Sequence, residues 1–102
     1  MIKSVYSFDT SGEAIVEKII NDTNIIINHV VVKAKDGIQE HASNANTYFV
    51  ILKGIMCIRL DPQEEKDYSA GNIINIPSGI TMKIDNRADD TLEFFIIKAP
   101  VP

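Results

Sequence analysis

The chain has 102 residues, a net charge of −4 and 45% hydrophobic residues, which sets a single domain spanning 1–102. The acidic balance argues against a nucleic-acid partner held by phosphate neutralisation, and the lone cysteine, Cys57, excludes an internal disulfide and a Cys-rich zinc site. The 18 Ile and 7 Val against 3 Leu favour sheet over helix, because β-branched side chains lose χ1 freedom in a helix and fit a pleated surface.

In chain order, turn signals separate short β-rich runs. They predict strands near 2–8, 24–35, 47–53, 55–60, 72–77, 80–85 and 91–98. Ile15, Val16, Ile19 and Ile20 within 13–20 fit either a helical face or a strand, and a strand is the reading adopted. The first twenty residues carry five charges and no apolar stretch of seven, so no signal peptide is expected. The longest aromatic-aliphatic run, Tyr48–Leu52, is far short of the ~20 residues of a spanning helix. A cytoplasmic protein without a membrane partner is therefore expected. The acidic stretch 61–67 reads as a solvated turn.

Two runs are apolar on both faces. Thr47, Phe49 and Ile51 alternate with Tyr48, Val50 and Leu52, and Leu92, Phe94 and Ile96 alternate with Glu93, Phe95 and Ile97. A sheet wetted on one side would alternate apolar with polar. One face is thus assigned to the core and the other to a second layer or subunit, which predicts a homodimer. His29 alternates with Lys33 and Lys35 and should point outward, in a surface or interface role. Cys57 alternates with Ile55 and Arg59 and reads as a small buried or interface hydrophobe.

Residues 37–54 read G-I-Q-E-H-A-S-N-A-N-T-Y-F-V-I-L-K-G, and 71–86 read G-N-I-I-N-I-P-S-G-I-T-M-K-I-D-N. These segments resemble the two motifs of the cupin superfamily, G-x5-H-x-H-x3,4-E-x6-G and G-x5-P-x-G-x2-H-x3-N. The second motif matches at Gly71, Pro77, Gly79 and Asn86. The first matches at His41 and Gly54, with Gly37 two residues too close. The resemblance implies an all-β jelly-roll barrel, a double-stranded β-helix. It also implies a site at the barrel mouth, where metal-dependent relatives place two His and a Glu from the first motif and a His from the second. Here those positions hold His41, Ser43, Thr47 and Met82.

One imidazole, two hydroxyls and a thioether are a poor set for Zn, Fe or Mn, which take three or four strong ligands. The expectation is therefore a barrel with no metal and no cofactor that binds a small organic ligand at these four residues. Two alternatives stand beside it. One is an enzyme using His41 or a metal held by atypical ligands; the other is a dimeric structural or interaction protein with a vestigial pocket.

Overall fold

The computed structural model describes all 102 residues. The chain forms nine strands: β1 (Ile15–Asn21), β2 (Ile26–Val32), β3 (Gly37–Ala42), β4 (Thr47–Lys53), β5 (Ile55–Leu60), β6 (Lys66–Ser69), β7 (Ile73–Ile76), β8 (Thr81–Asp85) and β9 (Leu92–Lys98). They build two antiparallel sheets, one ordered β1-β2-β9-β4-β7 and the other β3-β8-β5-β6. There is no helix, and so none long and apolar enough to cross a membrane.

The two-sided apolar pattern explains the larger sheet. On β4, Thr47, Phe49 and Ile51 are buried while Tyr48 and Val50 on the other face are half-buried. Across the ladder, Phe49 faces Ile96 and Val50 faces Phe95. Between the sheets lies a core of Val30, Val32, Phe49, Ile51, Ile76, Leu92 and Phe94 from one side and Met56, Ile58, Met82 and Ile84 from the other. The rings of Phe49 and Phe94 meet edge-on at 5.4 Å, a geometry worth about 0.5–1.5 kcal/mol beyond the area it buries.

The sequence-predicted strands at 47–53 and 55–60 form as expected, and 13–20 is a strand. Three segments differ. Residues 2–8 form no strand: they make an N-terminal arm with no ladder partner in the chain. The run at 24–35 ends at Val32, because Lys35 turns the chain at a φ of 67° and β3 begins at Gly37. Within the acidic turn, Lys66–Ser69 pairs with β5, Met56 opposite Tyr68 and Cys57 opposite Asp67.

Glycine is required where β4 passes into β5. Gly54 has a φ of +84°, and a Cβ there would lie 2.3 Å from the Thr91 carbonyl oxygen. A side chain would thus be strained and would also collide with backbone. At the other end of the second motif, Asn86 is fully buried. Its Nδ2 donates to the carbonyls of Val32 (3.1 Å), Lys33 (3.1 Å) and Asp90 (2.8 Å), and its Oδ1 accepts from the Ala88 N–H (3.2 Å). One amide thereby ties the end of β2 to the loop between β8 and β9.

Candidate functional site

The four motif positions reach one place by different routes. Thr47 opens β4 and faces inward. Met82 comes from β8, whose register sets it opposite His41 of β3. Ser43 follows the end of β3. A cavity of about 70 Å³ lies among His41, Ser43, Thr47 and Met82, with Asn28, Phe49 and Lys98 also on its wall. The structure brings the sequence-predicted residues together.

Their side chains are differently committed. Ser43 holds the turn after β7: its Oγ donates to the Pro77 carbonyl (2.6 Å) and accepts from the Ile80 N–H (3.1 Å). Its backbone does the same, its N–H donating to the Ile80 carbonyl and its carbonyl accepting from Gly79 N–H. Thr47 Oγ1 donates to the Ala45 carbonyl at 2.9 Å. Met82 is buried in the core. His41 is exposed, with Nδ1 3.0 Å from the Gln39 carbonyl. Both hydroxyls thus donate to backbone carbonyls, and one imidazole and one thioether complete the set. That donor set does not fit a divalent transition metal, and no three His, Cys, Asp or Glu side chains converge to hold one.

Two polar residues on this wall, Asn28 and Lys98, lie outside the sequence-derived set. Asn28 Oδ1 is buried without a hydrogen-bond partner, whereas most buried polar atoms in folded proteins are paired. Its signal was available: Asn28 has the parity of Val30 and Val32, which puts a polar side chain on the core-facing side of β2. Lys98, at the end of β9, donates from Nζ to Asn44 Oδ1 at 2.8 Å.

The outer face of the larger sheet carries a second polar group. His29 points outward as expected, yet it is fully buried. Nδ1 lies 2.7 Å from Glu17 Oε1 and Nε2 2.6 Å from Glu93 Oε2. With both glutamates ionised, the ring donates to each only when both nitrogens carry a proton. Phe8 of the arm closes over it, 4.9 Å from the His29 ring and 4.9 Å from Phe95. On the smaller sheet, Cys57 is buried as expected. Burial, and secondarily Asp67 beside it, pushes the thiol up to about 11.

Two short-stranded antiparallel sheets closed around one core, with this motif spacing at one end, define a double-stranded β-helix barrel. No family model matches the chain. It is 39% identical over 103 positions to an uncharacterised protein of Methanocaldococcus jannaschii, a match covering all of this chain and 89% of that one. The crystal structure of an RmlC-like cupin family protein from the same organism superposes with a TM-score of 0.92 at 39% identity, over 98% of this chain and 93% of that one. The chain belongs to the RmlC-like cupin family. More distant structures share the fold alone. A Streptococcus pyogenes protein of unknown function aligns at 17% identity and a TM-score of 0.76, covering 99% of this chain and 92% of that one. A Desulfitobacterium hafniense cupin superfamily protein aligns at 13% and 0.76, covering 91% and 83%.

Proposed function

We propose that this cupin binds a small organic molecule at the barrel mouth without a metal ion, using His41, Ser43, Thr47 and Met82 together with Asn28 and Lys98. The observation that carries the reading is the unpartnered Asn28 Oδ1 on the wall of the cavity those residues line. A buried acceptor without a partner costs about 1–3 kcal/mol, and a ligand carrying an O–H or N–H donor would remove that cost. Size limits the ligand. Drug-sized sites run to about 300–1,000 Å³, against about 70 Å³ here, so the occupant has only a few non-hydrogen atoms. Met82 and Phe49 provide apolar wall, while His41 and Lys98 offer positive or donor groups at the rim.

The test is thermal unfolding with a panel of two- to four-carbon alcohols, amines and hydroxy acids, glycolate among them, on the parent and on Asn28→Val. A binder stabilises by RT ln(1 + [L]/Kd). At least one compound should raise the parent's Tm and leave the variant's unchanged. A panel without effect on the parent overturns the proposal. Elemental analysis of tag-free protein should give far less than one transition-metal equivalent per chain, and about one equivalent would overturn the metal-free part. A second reading, a closed structural barrel, is favoured by the hydroxyls of Ser43 and Thr47, which already serve backbone carbonyls. It predicts no response to any ligand in the panel.

A further inference from the structure

The barrel mouth holds a cation on its inner face. Lys98 has the parity of Leu92 and Phe94, the core-facing residues of β9, and its ladder partner is Thr47, which faces inward on β4. None of the chain's ion pairs includes it; its Nζ donates to Asn44 Oδ1 at 2.8 Å. The other unpaired lysines, Lys3, Lys18, Lys33 and Lys66, are all exposed, whereas Lys98 is half-buried. An ammonium taken partly out of water without a counter-charge is costly. The cavity wall supplies none: it carries Lys98 and His41 but no Asp or Glu, on a chain whose net charge is −4. His41 has Nδ1 on the Gln39 carbonyl, so Nε2 is the ring nitrogen left for a ligand.

One inward row deeper, Asn28 of β2 stands opposite Ile96. That puts it diagonal to Lys98 across the β2–β9 ladder, a separation of about 7–8 Å between backbones. Its unpartnered Oδ1 needs a donor, and the hydroxyl protons of Ser43 and Thr47 are already given to backbone carbonyls. We propose that the occupant of the mouth is a two- to four-carbon hydroxycarboxylate, its carboxylate on Lys98 Nζ and its hydroxyl donating to Asn28 Oδ1, with Phe49, Met82 and Ile96 against its carbons. This rests on the binding reading above and fixes the charge and polarity of the ligand. A carboxylate supplies the counter-ion that Lys98 lacks, through a hydrogen bond roughly twice as strong as one between neutral groups. An amino acid also carries a donor, but its ammonium would sit on a wall that already holds two basic groups and no acid. A neutral diol would pair Asn28 and leave Lys98 without a counter-charge.

Thermal unfolding at pH 7 and constant ionic strength tests this with matched pairs: glycolate against glycolamide and lactate against lactamide, with acetate and glycine beside them. The ligand-dependent rise in Tm gives each Kd. At least one of the two acids should bind at least tenfold tighter than its own amide, and tenfold tighter than acetate and glycine. Lys98→Met should bring that acid to within about threefold of its amide while leaving the amide's Kd unchanged. Should this variant fail to fold, Lys98→Gln makes the same comparison. Lys33→Met, beyond the other end of β2, should leave both ligands as they bind the parent. Neither acid outbinding its amide, glycine binding as tightly as the better acid, or an acid preference that survives loss of the Lys98 ammonium each overturns the inference. Binding of the amides or of neutral alcohols alone overturns the hydroxycarboxylate and leaves the mouth as a ligand site. No rise in Tm with any compound overturns the binding reading as well.

Discussion

Replacing Asn86 with Ala tests the idea that the second motif's asparagine is an architectural group. The substitution deletes two N–H donors that serve three carbonyls, and one oxygen that accepts from Ala88. Each such bond is worth about 0.5–1.5 kcal/mol net, and a buried carbonyl left without a donor costs about 1–3 kcal/mol. Water entering the vacated space recovers part of that, so the expected loss is about 3 kcal/mol. For a domain of this size each kcal/mol moves Tm by about 4–8 °C, which gives a fall of roughly 12–24 °C. Urea unfolding followed by circular dichroism reads it directly, with an unchanged m-value expected if the fold is kept. Asn86→Asp sharpens the argument. It keeps an acceptor for Ala88 but turns a carboxylate oxygen toward three carbonyls. Burial and those carbonyls would raise its carboxyl in the folded chain, so the penalty stands at pH 7 and eases as pH falls and the acid becomes a donor. Asn86→Ala unfolding within 1 kcal/mol of the parent would refute the reasoning, because no bond network of this kind can be that cheap to delete.

Three further outcomes follow from the packing. Ser43→Ala should cost about 2 kcal/mol in urea unfolding, since it orphans the Ile80 N–H and Pro77 carbonyl that its hydroxyl satisfies, and amide exchange should rise first at residues 77–80. Gly54→Ala should cost more than 1 kcal/mol, because φ is +84° and the new Cβ meets the Thr91 oxygen; an unchanged urea midpoint would contradict it. Cys57 should resist a disulfide reagent at pH 8 in the native protein and react promptly in denaturant. Its thiol is raised to about 11 from about 8.5 in the unfolded chain, so its contribution to stability is intact below about 8.5 and declines as pH rises toward the folded value. Rapid native labelling at pH 8 would refute that account.

Much of the barrel was legible because its strands carry strong local information. β4 and β5 are dense in β-branched and aromatic residues and are separated by a glycine that must turn. The Gly71–Asn86 spacing marks the second motif. β3 was not legible: Gly37–Ala42 is mostly exposed, and its ladder with β8 is imposed by the partner strand rather than by its own composition. β6 was hidden for the same reason, two of its four residues being charged. The arm erred in the opposite direction, because strand-forming residues make no strand without a neighbour to pair with. At the mouth, the four positions come from the resemblance to the two cupin motifs. The commitments of the Ser43 and Thr47 hydroxyls depend on where the carbonyls of Pro77 and Ala45 fall, which no spacing reveals.

The position of His29 between Glu17 and Glu93 constrains how this chain can change. Glu17 sits on β1, His29 on β2 and Glu93 on β9, so one ring joins three neighbouring strands. Replacing the histidine with an apolar residue leaves Glu93 with no donor and Glu17 with the Asp9 N–H alone; replacing either glutamate with an apolar residue leaves a ring nitrogen facing nothing. The step that keeps every nitrogen satisfied is Glu93→Gln: the amide N–H then donates to an unprotonated Nε2 while the Nδ1–H still serves Glu17; at position 17 the same amide N–H would meet the Asp9 N–H, which donates to that very oxygen. In divergence from a common ancestor, the three positions should therefore behave as one heritable character, exchanged together or by way of glutamine.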